Sequence, residues 1–366
     1  MNVYVLGVAT HPPSLREQGL RLEEIAFQTS ASAINLAGVS RRQIDSVTLG
    51  ACDELDGRPI SSMLMTAPAG GYHTDEIKVT DSGASALCLA VGRILAGDCE
   101  LGLVASWCKS SKTDVETVMR WRGDPFFTRP LGIDAVIADA LFAQASCKFG
   151  ITEAEASQRV VDAYARAARN PRGMNYPVPS RADVDISPYE SIPLRSAQRA
   201  PLTDGAVSMI VASESFLRAN PGSKALARVM GVGWASDSYR LDGERLASMN
   251  SARQAWHAAL RQAGLRGASE LDVVELECPT SYHEGAYVRT FGIEDEGKIS
   301  PSGGTFAQNP LFCSGLVNAV EAVLQVAGRA GPIQKPNAAR AAAHSCHGFA
   351  QQGNVVMVFE SVGGPQ

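Results

Sequence analysis

Val3-Tyr4-Val5-Leu6-Gly7-Val8-Ala9, read beside Ala227-Arg228-Val229-Met230-Gly231-Val232-Gly233, decides the fold. Each is a short apolar run of strand length. The first leads through an Ala-rich helical pattern ending at Ala37-Gly38 into Ile44-Asp45-Ser46-Val47. The second leads through a helical pattern ending at Ala263-Gly264 into Leu271-Asp272-Val273-Val274. A single inserted residue keeps the copies in register, so the chain carries an internal repeat of strand, helix and strand.

The repeat continues. Each copy next offers a small-residue turn and a long helix, Ser82 to Ala96 and Ser314 to Ala327, then a short apolar strand, Leu101 to Ala105 and Ala338 to His344. This alternation predicts an α/β protein with buried, largely parallel sheets in two pseudo-symmetric halves, residues 1–225 and 226–366. Residues from about 110 to 200 interrupt the first half with Trp121, Phe126, Phe127, several prolines and an amphipathic pattern from Glu153 to Arg169. They are too many for an ordinary connection and predict an inserted cap with helices of its own. Asp204-Gly205-Ala206 then reads as a tight turn into the buried strand that closes the first half.

Composition narrows the classes of function. At 366 residues there is chain for about two domains. The 33 Lys and Arg against 38 Asp and Glu, a formal charge of -5 without long runs of one sign, argue against wrapping nucleic acid or coating a membrane. No apolar run reaches the roughly 18 residues of a membrane span. The start Met1 to Thr10 lacks a basic segment and a cleavage site. The expectation is a soluble, cytoplasmic protein. Eight cysteines without a C-x-x-C pair, and six histidines without zinc spacing to them, predict reduced thiols and no metal.

With the repeat in place, the turn Asp204-Gly205-Ala206, the pattern Pro301-Ser302-Gly303-Gly304 and the run Gln308-Asn309-Pro310-Leu311-Phe312-Cys313-Ser314-Gly315 resemble the thiolase superfamily, most closely its sterol-carrier-protein-x type. The likeness spans nearly the whole chain, including Asn170-Pro171 and Pro193-Leu194-Arg195. It implies the thiolase fold, a five-layered αβαβα core with the active site where the halves meet, and a homodimer built edge to edge. It also implies a coenzyme A thioester as substrate and a small OB-fold, zinc-ribbon partner protein. In the family a cysteine at the N-terminus of the first buried helix is acylated, with its pKa lowered by amides and the helix dipole. A Gly-His-Pro histidine activates it, and a late loop supplies a second Cys or His to move a proton.

Here the chain departs from the pattern. Family members read Cys-x-Ser-Gly before an Ala-Leu pair; Ser82-Gly83 and Ala86-Leu87 place Thr80 at the nucleophile position. Asn309 stands at the Gly-His-Pro histidine, and an amide cannot accept that proton. Cys88, in an Ala-Leu-rich helix face, reads as packing. Cys313 replaces a small residue at the N-terminus of the second central helix, either as packing or as an unusual nucleophile.

The late loop is His344-Ser345-Cys346-His347-Gly348. The resemblance puts His344 or Cys346 at the proton-transfer position, with His347 a secondary candidate or a backbone cap. Tyr282, in Glu277-Cys278-Pro279-Thr280-Ser281-Tyr282-His283-Glu284, lies in a loop whose family counterpart bears an acidic or amide group facing substrate. It reads as acid-base residue or as core. Lys109, Lys112, Arg122 and Arg129 are candidates for the phosphates of coenzyme A. Gly292 to Lys298 has P-loop spacing, but its three acidic residues would repel phosphate and Ile299 cannot ligate magnesium. Gly231-Val232-Gly233 lacks the third glycine and the ribose-binding acid of a dinucleotide site.

Loss of nucleophile and activator together implies chemistry without acylated sulfur: aldol or retro-aldol cleavage of a β-hydroxyacyl-CoA, with Asn309 holding the enolate oxygen. Two alternatives stand beside it. One is a catalytically silent subunit of an acyltransferase complex; the other is an acyltransferase or Claisen enzyme using Cys313 or Cys346.

Overall fold

The computed structural model describes residues 2–57, 60–72, 74–80 and 82–363. Its strands are β1 Val3–Thr10, β2 Ser46–Gly50, β3 Asp75–Val79, β4 Leu101–Cys108, β5 Tyr189–Ser191, β6 Leu194–Arg195, β7 Gly205–Ser213, β8 Ala227–Ser236, β9 Val273–Glu275, β10 Arg340–His347 and β11 Gly353–Ser361. Nine form one sheet in the order β3-β2-β4-β7-β1-β8-β11-β10-β9. The two copies of the repeat meet at its centre, where Val3, Tyr4 and Val5 run antiparallel to Val229, Arg228 and Ala227.

The sheet is mixed, not largely parallel. The pairs β2/β3, β2/β4 and β9/β10 are parallel, whereas β1/β7, β1/β8, β4/β7, β8/β11 and β10/β11 are antiparallel. The reason lies in the connections. A helix carries the chain between parallel neighbours, but β4 returns as β7 only after the whole cap, and β10 turns directly into β11 through a short loop.

Side-chain alternation sorts the strands into layers. Val104 and Cys108 of β4, Val207, Met209 and Val211 of β7, Ala341 and Ala343 of β10, and Val355, Met357 and Phe359 of β11 point inward. They pack on two central helices, Gly83–Ala96 and Ser314–Val326. On the opposite face, Leu101, Leu103, Ala105 and Trp107 meet Ile25, Ala33 and Ile34 of the helix Leu22–Ala37. In the second half, Ala342, Val356 and Val358 meet Ala252, Ala255 and Trp256 of the helix Asn250–Ala263. Helix, sheet, helices, sheet, helix: five layers result. The second central helix, enclosed by both half-sheets, is buried almost all round, as its apolar sequence requires.

Gly-Val-Gly in β8 serves this packing. A Cβ on Gly233 would lie 2.2 Å from the Ala255 carbonyl oxygen; the equivalent strand of the first half does the same with Gly7, at 2.4 Å from that of Ala33.

The inserted segment folds as helices Val115–Arg122, Ala135–Ser146 and Glu153–Ala167 with the ribbon β5/β6. Although it interrupts the first half in sequence, its two longer helices pack on the second, where Ala138, Phe142 and Ala143 join Tyr282, Ala286 and Tyr287 in one cluster, while Val118 and Met119 of the helix Val115–Arg122 join the central core. Charge pins it there. Glu284 pairs with Arg159 at 3.2 Å and Arg166 at 2.6 Å, and Glu321 of the second central helix pairs with Arg172 at 2.6 Å. Among the described residues no helix is long and apolar enough to cross a membrane.

Candidate active site

The N-termini of the two central helices meet. The Gly83 amide donates to the Phe312 carbonyl at 2.8 Å, one residue before the second helix is capped by Cys313. Two glycines permit this approach. A Cβ on Gly83 would stand 2.9 Å from Leu316 and from Ser106, and one on Gly315 would stand 2.1 Å from Ser345 Oγ. Ser82, Ser106, Cys313, Ser345 and Glu277 are thereby gathered at one buried point.

Hydrogen bonds order them. Ser345 Oγ donates to Glu277 Oε2 at 2.7 Å, and the Cys346 amide donates to the same oxygen at 3.3 Å. Ser82, which caps the first central helix by accepting from the Ser85 amide, has its hydroxyl 3.4 Å from that of Ser345. Burial pushes the Glu277 carboxyl up to about 7, against the opposing pull of Ser345 and Cys346. Burial likewise drives the Cys313 thiol upward, Ser106 opposing. It is not an ionised sulfur.

Asn309 stands at the edge of this point in a fixed pose. Its Oδ1 accepts from Ser314 Oγ at 2.9 Å and its Nδ2 donates to the Ala200 carbonyl at 3.4 Å. Thr203 and Asn309 exchange bonds on both sides, so the cap's return segment holds the loop.

Of the other expected residues, Cys346 adjoins Glu277 through its amide, and His344, Tyr282 and Thr80 are placed away from that carboxyl. Along β10 the inward positions are Ala341, Ala343 and Ser345, so His344 and Cys346 face the outer helices. His344 Nε2 lies 2.8 Å from Asn354 Oδ1, its ring 4.2 Å from that of Tyr287, and burial lowers its pKa to about 4. The Cys346 thiol donates to the Glu277 carbonyl at 3.6 Å and is pushed well up by burial and by the Glu277 carboxyl. Tyr282 sits in the outer cluster beneath the cap, its hydroxyl raised by burial and by Glu153. Thr80 is exposed in the bend after β3, and Cys88 is buried core.

His347 reaches a different opening. With Met119, Arg122, Phe312 and Phe349 it lines a cavity of about 240 Å³. Arg122 lies over the Phe312 ring, 5.5 Å from its centroid, and Phe312 holds a left-handed φ of 66°, rare for a side chain of that size. Beyond Phe349, which contacts the Gly123 turn, an apolar trough of about 620 Å³ is walled by Phe127, Leu131, Ile133, Leu141, Tyr239 and Leu241. Of the four expected basic residues only Arg122 stands here. Lys109 and Lys112 border a separate groove with Arg21, and Arg129 binds the carbonyls of Gly123 and Trp121.

Glu277 and Ser345 stand outside the set of residues that the sequence motifs point to. A signal was present: Val273, Glu275 and Glu277 recur at the period of a strand, so acids at a strand end share the inward face with Val273.

No family model matches the sequence. Rabbit (Oryctolagus cuniculus) sterol carrier protein 2 is 28% identical over 170 residues, 40% of this chain and 31% of its own length. The chicken (Gallus gallus) protein of the same name is 27% identical over 190 residues, 46% and 34%. The chain thus spans about a third of the length of the curated relatives it matches. Among solved structures, human mitochondrial 3-ketoacyl-CoA thiolase superposes with a TM-score of 0.81, 15% identity and 99% of each chain covered. Acetyl-CoA acetyltransferase from Syntrophomonas wolfei gives 0.77, 17%, 98% and 99%.

Proposed function

We propose that this chain, a thiolase-fold protein resembling the sterol-carrier-protein-x type, binds a coenzyme A thioester between its halves and cleaves a β-hydroxyacyl-CoA by a retro-aldol reaction without acylating a cysteine. One observation carries the reading: two helix N-termini converge on a point at which Cys313, the thiol at the second helix cap, is fully buried, and burial raises its pKa. Helix N-termini and amide donors suit the oxygen of an enolate, not a sulfur nucleophile in need of ionisation. Asn309 supplies the side-chain donor. Donors so placed are worth about 3–4 kcal/mol of barrier.

The neighbouring features fit the same reading. The trough of Phe127, Leu131, Leu141 and Tyr239 suits an apolar acyl group, and Arg122 at the cavity mouth suits an anionic portion of the substrate. A homodimer through the outer edge of β3, a small OB-fold, zinc-ribbon partner and a cytoplasmic location complete the proposal; the solved human thiolase, by contrast, is mitochondrial.

A second reading, an acyltransferase acylated on Cys313, is favoured by that residue's position at the helix cap. Incubation with acyl-CoA and intact-mass measurement separates the two. Release of aldehyde or ketone from a β-hydroxyacyl-CoA with no protein adduct supports the lyase. An adduct that disappears in Cys313→Ala supports the transferase, and inertness towards every thioester until a second polypeptide is added supports a silent subunit.

A further inference from the structure

The geometry points to Glu277 as the catalytic proton carrier of this site, with Ser345 as its positioning residue; the inference rests on the lyase reading above. Retro-aldol cleavage needs one group that takes the proton of the β-hydroxyl and returns a proton to the α-carbon. Of the side chains at the meeting point of the halves, Glu277 is the carboxyl that hydrogen-bonds Ser345 and the Cys346 amide. The N-termini of the two central helices, at Gly83 and Ser314, close round it through Ser82, Ser345 and Gly315. Ser345 and the Cys346 amide both bind Oε2, which leaves Oε1 to hold and release the proton.

The groups facing Glu277 are Cys313 from the second central helix, Cys346 from β10 and Tyr287 from the helix Ser281–Phe291. All three are weak acids that burial keeps neutral. The carboxyl therefore titrates near neutrality, where it serves as base and then as acid.

The step balances within the substrate. Glu277 carboxylate accepts the β-hydroxyl proton, and the oxygen's electron pair forms the new carbonyl. The Cα–Cβ bond breaks and its pair moves into the thioester as an enolate. The aldehyde or ketone departs, and the Glu277 acid protonates the α-carbon to give the shortened acyl-CoA. No oxidant or reductant is required.

The half-reaction at the α-carbon is testable alone. In D₂O the protein should exchange the α-hydrogens of butanoyl-CoA, followed by NMR. Glu277→Gln should slow exchange by about 10²–10⁴-fold, the range of general acid-base catalysis, and Glu277→Asp by less. Ser345→Ala removes a bond that favours the carboxylate, so the midpoint of the rate–pH profile should move upward, a shift that a merely structural role would not produce. Melting curves check that each variant is folded. Exchange at the wild-type rate in Glu277→Gln, or none in the wild type, overturns the assignment. Wild-type exchange lost in Glu277→Gln, with no β-hydroxyacyl-CoA ever cleaved, upholds Glu277 and sinks the lyase. Cleavage that survives in Glu277→Gln sinks Glu277 and leaves the lyase standing.

Discussion

Gly315 and Ser345 press on one another across the centre of the molecule, with no space for a single added carbon between the second central helix and β10. That contact turns the Ser345 hydroxyl onto Glu277, 2.7 Å away.

Gly315→Ala is therefore expected to lose about 1–3 kcal/mol of stability in urea titration, the usual scale of overpacking. Adding Ser345→Gly should recover most of that loss, since the new methyl group then has room. A double-mutant cycle reads the coupling directly; additive effects would mean that the two residues do not touch.

At Cys313 the expectation is modest. The thiol is buried and neutral, so Cys313→Ala should cost on the order of 1 kcal/mol in stability. Cleavage of a β-hydroxyacyl-CoA should persist within a few-fold. Loss of all activity in the variant, together with disappearance of a mass adduct formed by the wild type, would favour the transferase.

Glu275 offers a test by pH. It is fully buried, accepts from the Ser302 amide at 3.3 Å and lies near Glu321, and burial with that neighbour raises its pKa from 4.5 to about 8. A carboxyl raised on folding binds its proton more tightly in the folded state. Its contribution is complete below pH 4.5 and is lost as pH rises towards 8. Glu275→Gln should accordingly melt higher than the wild type at pH 8, with the difference shrinking towards pH 4.5.

Glu284 anchors the cap. Removing it by Glu284→Ala leaves Arg159 buried with its partners reduced to Glu155 and Glu296, and should destabilise by about 3–5 kcal/mol. Proteolysis should begin within residues 110–200. Glu284→Gln, which keeps the hydrogen-bond acceptor, should be milder.

The repeat, the two central helices and the cap could be read along the chain because their signals are local. Val3 to Ala9 and Ala227 to Gly233 are short apolar runs, and Ser82 and Gly97 bracket a helix by capping chemistry. The antiparallel character of the sheet escaped the same reading because it depends on where β7 and β11 return after long or short excursions. The glycines of β8, set aside as a failed nucleotide motif, prove to be the contact points of an outer helix.

The sequence by itself determined an α/β chain of two matched halves with a helix buried in each, since hydrophobic period and turn residues act over a few positions. Which late-loop side chain turns towards the junction of the central helices was decided only by tertiary structure. His344, Ser345 and Cys346 are neighbours in the chain, but a strand sends successive side chains to opposite faces, and the packing of the central helices selects which face is the inside. Ser345 is turned to Glu277, and His344 is turned away to Asn354, because Gly315 lets the helix sit against that one face.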